Sequence, residues 1–247
     1  GGQGWEDGQF QEPTAIDTDV LGNVYVTDQN NQRIQKFDSN GGFIAKWGSF
    51  GSGPGELLGP CGIAVAIDGH IIVADTYNHR LEVFSSEGSF LEKWTDYGTG
   101  EGEFYCPSST AVSRKGYVYV ADTRNHRVQQ FDADGSFIRQ WGGDGSESGQ
   151  FRYPHGIAVG PSGAVYVTDH DNQRVQKFTA DGDFVLSWGN FGSGSGEFQG
   201  PIGVCVGPTG EVYVADGGSQ RIQKFSANGT FLMQWGAFGS GQGQFAW

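Results

Sequence analysis

Side chains that could bind a ligand or take part in catalysis recur at two positions of a pattern that repeats every 47 residues. One position directly follows a proline and holds Thr14, Cys61, Ser108, His155 and Ile202. The other lies two residues after an aspartate and holds Asn30, Tyr77, Arg124, Asp171 and Gly218. Thiol, hydroxyl and imidazole groups serve nucleophilic or metal-dependent enzymes, whereas tyrosine and arginine are frequent at binding hot spots. The two positions are therefore the candidate site.

An enzyme would need several of these groups to converge. Cys61 and His155 belong to repeats that are not adjacent, so we expect their distance to exceed the reach of about 3 Å that a nucleophile and its base require. A zinc site needs three imidazoles, but His155 alone stands at the first position; His79 and His126 share a different position, where we expect them to brace a loop. Asp17 is the sole acid of the innermost strands that could bind calcium. We predict no catalytic residues, no metal and no cofactor.

A 47-residue repeat sets the elements that must position these groups. The same period separates three further sets of identical residues: Asp28, Asp75, Asp122, Asp169 and Asp216; Arg33, Arg80, Arg127, Arg174 and Arg221; Trp47, Trp94, Trp141, Trp188 and Trp235. A strict period indicates one supersecondary unit copied five times. We place the repeats at 8–54, 55–101, 102–148, 149–195 and 196–242, with 243–247 starting a further one.

One repeat has the pattern of four short strands. In residues 151–188 the predicted strands are 155–159, 164–168, 174–178 and 183–188, and glycines at 163 and 182 mark the turns. A Gly-rich connection then leads to the next repeat. Four-stranded antiparallel sheets repeated radially are the architecture of a β-propeller. We predict an all-β fold: a single β-propeller domain over 1–247 with five blades, and six blades as the alternative.

The repeated aspartate and arginine have a structural interpretation. Aspartate ends the second strand and arginine starts the third, so a carboxylate and a guanidinium face each other across the loop. We expect a bidentate clamp within each blade. A catalytic carboxylate would not be needed five times.

Composition excludes several classes of partner. The chain has 15 basic and 28 acidic residues, a formal net charge of −13. Nucleic acid and anionic membranes are poor partners for such a chain, because phosphate contact requires a basic surface. No apolar run reaches the 18 residues of a membrane-spanning helix, so we expect no membrane insertion. Cys61, Cys106 and Cys205 form no disulfide framework. We expect a monomer, and the sequence leaves its localisation open.

The segment Val118-Tyr-Val-Ala-Asp-Thr-Arg-Asn-His-Arg-Val-Gln-Gln-Phe131 resembles the NHL repeat, and Ala74-Asp-Thr-Tyr-Asn-His-Arg80 matches it equally well. The resemblance covers about residues 10–235 and implies a β-propeller, which in most relatives has six blades. It does not imply one activity. Relatives include tripartite-motif proteins that bind RNA or protein, sensor domains of bacterial kinases and peptidylglycine amidating lyase.

The function that we predict is a binding or scaffold module for a peptide, protein or glycan. The ligand should dock at the channel mouth, over the loops after the second strands and the connections between repeats. Tyr77, Arg124 and His155 are the principal expected contacts, joined by Asn30, Asp171, Cys61 and Ser108. The negative charge favours a neutral or cationic partner. A metal-dependent lyase or hydrolase acting on a small molecule at the central channel is the alternative.

Overall fold

The computed structural model describes residues 2–245 of the chain, and its regular structure is almost entirely β. β-branched and aromatic residues dominate the second strand of each repeat, as strands prefer. The strands are β1 (Pro13–Thr18), β2 (Val24–Asp28), β3 (Arg33–Phe37), β4 (Phe43–Trp47), β5 (Pro60–Val65), β6 (Ile71–Asp75), β7 (Arg80–Phe84), β8 (Phe90–Trp94), β9 (Pro107–Val112), β10 (Val118–Asp122), β11 (Arg127–Phe131), β12 (Phe137–Gly142), β13 (Pro154–Val159), β14 (Val165–Asp169), β15 (Arg174–Phe178), β16 (Phe184–Trp188), β17 (Pro201–Val206), β18 (Val212–Asp216), β19 (Arg221–Phe225) and β20 (Phe231–Trp235). Single 3-10 turns follow β2, β6 and β10, at Gln29–Asn31, Thr76–Asn78 and Thr123–Asn125.

Each group of four consecutive strands forms one sheet, with neighbours in the chain also neighbours in the sheet. Blade 1 is β1–β4, blade 2 is β5–β8, and so on to blade 5, β17–β20. The protein is a β-propeller with five four-stranded antiparallel blades, which confirms the predicted fold class. The strands of each blade fall inside one predicted repeat. Of the short segment 243–247, residues 246 and 247 lie outside the described residues.

The chain divides into two compact units. The first comprises Gly1–Val112, Gly116–Val120 and Phe131–Ile138. The second comprises Ser113–Lys115, Ala121–Gln130 and Arg139–Trp247. A single domain over the whole chain stays a prediction.

In the first compact unit, the core lies between the faces of successive blades. Tyr25 and Ile34 of blade 1 pack with Val73 and Phe84 of blade 2, and all four are buried. At the outer end of this layer the Trp47 ring lies on the turn glycine of blade 2: a Cβ on Gly88 would come within 2.5 Å of Trp47. This turn needs glycine, because its φ is +88° and the ring leaves no room for a side chain.

The second compact unit repeats this packing. Tyr166 and Val175 of blade 4 join Val212 and Phe225 of blade 5 in one buried cluster. The repeated tryptophan, Trp188, lies on the turn that holds Gly229. The ring-on-glycine contact is thus a property of the repeat rather than of one blade.

The repeated aspartate and arginine form a brace whose geometry differs from the expected bidentate clamp. In blade 2, Arg80 Nε lies 2.8 Å from Asp75 Oδ2, and the other carboxylate oxygen accepts the N–H of Leu58 at 2.6 Å. The remaining guanidinium nitrogens donate to three carbonyls of the preceding connection, those of Ser52, Gly53 and Glu56. The expectation of a bidentate pair is wrong because half of each partner is used to hold this connection. The same Nε contact occurs at 2.7–2.9 Å in the other blades.

Candidate functional site

In blades 1 to 4, the loop after the second strand ends in a left-handed residue whose side chain fastens the next connection. Gln32, His79, His126 and Gln173 have φ between 53° and 57°. His79 Nδ1 accepts the N–H of Cys106 at 3.1 Å, and Gln173 Oε1 accepts that of Gly200 at 2.6 Å. Gln32 and His126 do the same for Gly59 and Tyr153. The two histidines of the NHL motif therefore hold loops in place, as the sequence suggested.

In the first compact unit, Cys61 and Tyr77 lie on adjoining segments. The ring of Tyr77 rests on Gly59, where a Cβ would come within 2.3 Å of it, yet 58% of the tyrosine is exposed. Cys61 Sγ accepts a hydrogen bond from Gln29 at 2.8 Å. Burial raises the pKa of the Cys61 thiol, so Cys61 is a thiol at neutral pH rather than a reactive thiolate.

Asn30 and Ser108 complete the candidates of this unit. Asn30 is exposed in the 3-10 turn after β2, next to the Gln29 that bonds Cys61. Ser108 is buried, with 7% of its surface exposed, near the start of β9. The four residues therefore differ in access: Tyr77 and Asn30 face outward, whereas Ser108 lies beneath the surface.

In the second compact unit, Arg124, His155 and Asp171 lie on neighbouring segments. Thr123 Oγ1 donates to the carbonyl of Pro154 at 2.8 Å, which fixes the Arg124 turn beside the start of β13. The His155 ring is 6.3 Å from the ring of His170, whose Nδ1 lies 2.6 Å from Asp171 Oδ1. Arg124 and Asp171 are exposed.

His155 is neutral at neutral pH. Burial, and secondarily the neighbouring His170, lowers the pKa of His155 to about 4. A neutral imidazole can donate or accept a hydrogen bond but brings no charge to a ligand. No spacing in the sequence pairs His170 with His155, because only the packing of the loop after β14 against β13 brings the two rings together.

Glu82 is a further notable residue that the sequence analysis did not single out. Glu82 occupies the place of Gln35, Gln129, Gln176 and Gln223 in the other repeats. The signal was present in the sequence, since aligning the five repeats shows one acid among four amides. Its side chain is fully buried against the Asp75–Arg80 brace.

Within residues 2–245, no group of three or more His, Cys, Asp or Glu side chains is arranged to hold a metal ion. No helix in that part of the chain has the length and apolar character needed to cross a membrane.

Family comparisons agree with the repeat geometry. The NHL repeat matches residues 10–37, 151–178 and 198–225, and a family described as 6-bladed beta-propeller matches residues 63–156. The chain is an NHL-repeat β-propeller. A search of curated proteins finds none that matches this NHL-repeat propeller significantly.

Solved structures similar to this NHL-repeat propeller include a lyase, a gluconolactonase and a nidogen/laminin complex. A catalytically inactive virginiamycin B lyase from Staphylococcus aureus with quinupristin superposes with a TM-score of 0.68 at 14% identity, over 90% of this chain and 69% of the lyase. A gluconolactonase from Xanthomonas campestris gives 0.69 at 14% identity, over 92% and 76%. A nidogen/laminin complex gives 0.68 at 17% identity, over 90% and 79%. At these identities the likeness concerns the fold alone.

Proposed function

We propose that this NHL-repeat propeller is a binding or scaffold module that recognises a peptide, protein or glycan through its loop face. The loop face is defined, for each blade, as the loop after the second strand together with the connection that precedes the blade. The observation that carries the proposal is that each loop has a buried, constant aspartate and, two residues later, an exposed, variable residue. Asp75 is fully buried, whereas Tyr77, two residues later, is 58% exposed.

This arrangement supports binding because the variable side chains stand on a rigid base. The brace and the left-handed residue fix both ends of the loop, so a side chain between them loses little entropy when a ligand binds. Tyr77 gains further rigidity from its contact with Gly59. An exposed, immobilised tyrosine offers both apolar area and a hydroxyl, which is why tyrosine is enriched at hot spots.

The second compact unit offers a polar counterpart. Arg124 supplies a guanidinium, Asp171 a carboxylate and His155 a neutral imidazole on neighbouring segments. Backbone amides and carbonyls of a peptide, or the hydroxyls of a glycan, can pair with such a mixed set. The net charge of −13 favours neutral or cationic ligands over phosphate-rich ones.

The proposal is tested with peptide and glycan arrays, followed by affinity measurements on Tyr77→Ala and Arg124→Ala. We expect at least one variant to lose affinity about tenfold or more, as removal of a hot-spot side chain does. Ile67→Ala and Arg114→Ala are matched controls, because both residues are exposed in turns after a first strand, at the opposite end of their blades. They should bind normally. Unchanged affinity in both loop-face variants, or no ligand on either array, contradicts the proposal.

A metal-dependent lyase or hydrolase is the competing function. Metal analysis of the purified protein separates the two, since an enzyme of that kind retains a catalytic ion in a defined ratio. Stoichiometric zinc or calcium would overturn the binding proposal in favour of the enzyme.

A further inference from the structure

Among the described blades, the buried braces differ in one ionisable residue. Blade 2 has Glu82 where the other four blades have a glutamine. In blades 1, 4 and 5 the glutamine amide at this position joins the brace to the preceding connection. Gln176 Nε2 donates to Asp169 Oδ2 at 3.1 Å and to the carbonyl of Gln150 at 2.6 Å, while its Oε1 accepts the N–H of Gly149 at 3.0 Å. Gln35 and Gln223 repeat all three bonds. The amide thus acts as both donor and acceptor.

Blade 2 keeps the partners of that amide but replaces the amide by a carboxyl group. Asp75 Oδ2 and the carbonyl of Glu56 keep the bonds from Arg80, but each lacks the additional donor that the glutamine amide supplies in blade 4. A carboxylate only accepts hydrogen bonds, whereas a protonated carboxyl group also donates one. Glu82 can therefore replace the glutamine only while it carries a proton.

Burial and two neighbouring acids favour that proton, against one cation. Asp75 on β6 and Glu56 in the connection are acidic, and Arg80 on β7 is the one cation among the groups that act on Glu82. Arg80 Nη2 lies 2.7 Å from Glu82 Oε1, but the contact is poorly aligned and Arg80 already serves Asp75 and three carbonyls. Burial is the largest cause that raises the pKa of Glu82, to about 7; Asp75 and Glu56 add to it, while Arg80 and the N–H of Gly55 oppose it.

We propose that Glu82 is a proton-controlled latch on the connection formed by residues 51–59. With its proton, Glu82 fastens this connection to Asp75 as the glutamines do in other blades. Without it, two buried carboxylates face each other and no donor other than Arg80 reaches the Glu56 carbonyl, so the connection loosens. Local opening of this kind requires only that a few backbone contacts weaken.

The latch bears on the ligand site because the same connection supports Tyr77. The N–H of Tyr77 donates to the carbonyl of Leu58 at 3.0 Å, and its ring rests on Gly59. Loosening residues 51–59 removes the base on which Tyr77 is held. Resting on the proposed function, the latch predicts that affinity for a ligand at Tyr77 falls as the pH rises from about 5 to about 8.

Hydrogen exchange of the backbone amides tests the latch without any ligand. The equivalent segment of blade 5, residues 192–200, serves as an internal reference that corrects for the pH dependence of intrinsic exchange, because Gln173 holds its end as Gln32 holds that of 51–59. Between pH 5.5 and 8, protection of 51–59 relative to 192–200 should fall about tenfold, since one unit of pKa difference between the closed and the open connection changes the opening equilibrium by that factor. Glu82→Gln should abolish the fall. Gln223→Glu should transfer it to 192–200.

Relative protection of 51–59 that stays constant with pH, or that falls equally in Glu82→Gln, overturns the latch. Glu82→Gln installs the residue that four other repeats carry, so it preserves the fold. The proposed function is read separately, from ligand affinity at pH 5.5. Absence of any ligand at pH 5.5 overturns the proposed function and leaves a pH-dependent exchange of 51–59 as support for the latch.

Discussion

Blade 2 and blade 4 are built on the same 47-residue pattern, and each has one ionisable side chain that the other lacks, fully buried in blade 2 and half-buried in blade 4. Both have the Asp–Arg brace, at 2.8 Å in blade 2 and 2.7 Å in blade 4. Blade 2 adds Glu82, where blade 4 has Gln176, and blade 4 adds His155, where blade 2 has Cys61. Burial shifts the pKa of the acid upward and that of the imidazole downward. The two blades therefore share one scaffold, and a different residue at a single position determines how the stability of each blade changes with pH.

The two responses have opposite signs. The pKa of Glu82 rises from 4.5 to about 7 on folding, so its contribution to stability is complete below about 4.5 and is lost as the pH rises through 7. The pKa of His155 falls from 6.5 to about 4, so its contribution is complete above about 6.5 and is lost as the pH falls through 4. Near pH 5 to 6 the two blades are each partly stabilised. The comparison shows that the type of buried group decides the pH response of a repeat. A buried acid favours folding at low pH, and a buried imidazole favours folding at high pH.

Removing the brace aspartate should give the largest effect and should separate the two blades. Asp169→Ala leaves the largely buried Arg174 without its carboxylate, and we expect a loss of about 3 kcal/mol in the free energy of unfolding. Asp75→Ala should cost only about 1 kcal/mol, because Glu82 remains beside Arg80 and loses a like-charged neighbour. Urea denaturation at pH 7 measures both. Equal losses would mean that Glu82 does not act on the brace.

The ring-on-glycine contact should be equally sensitive in both blades. Gly88→Ala and Gly182→Ala place a methyl group 2.5 Å from Trp47 and 2.7 Å from Trp141, respectively. We expect each to cost about 2 kcal/mol through the clash and the positive φ together. Gly69→Ala is the control, since its φ is +89° but no atom lies within 4 Å of the added Cβ. A loss in Gly69→Ala as large as in the other two would assign the whole effect to the backbone.

The smallest effect should appear at His155 and should have the sign opposite to that of Glu82. Relative to wild type, His155→Ser should gain about 1 kcal/mol as the pH falls from 6.5 to 4, because the variant no longer has to keep a partly exposed imidazole neutral. Glu82→Gln should instead gain on wild type as the pH rises from 4.5 to 7. Unfolding curves across this range measure both differences. Parallel changes in the two variants would contradict the comparison.

The repeat made the fold predictable to the level of single strands. The predicted strand 174–178 coincides with β15, and 155–159 differs from β13 by one residue. Turn glycines and the alternation of apolar residues are local signals, so they can be recognised in the sequence without knowledge of the packing. The Asp–Arg pairing of the brace was predictable, but its geometry was not. The guanidinium also donates to backbone carbonyls, such as that of Ser52, and these belong to a connection without a regular sequence pattern.

The candidate site was less predictable because access depends on packing. Thr14, Cys61, Ser108 and His155 are equivalent in sequence, yet Ser108 is buried while Cys61 and His155 are half-buried. The proximity of His155 to His170 depends on how the loop after β14 packs against β13. The shifted pKa of Glu82 likewise results from burial, which no spacing of residues reports.

The bonds that join one blade to the next within each compact unit also determine how the chain can acquire its structure. Thr76 reaches the carbonyl of Pro107, 31 residues on, and Lys177 reaches that of Ala227, 50 residues on. Contacts that span about one repeat cost little loop-closure entropy for a β protein, and they allow a blade to form once its successor has left the ribosome. We therefore expect folding to proceed stepwise during synthesis, as in linear repeat arrays. Identical spacing carries a hazard, because a blade of one nascent chain meets an equally suitable partner in another, which favours exchange of blades between crowded chains.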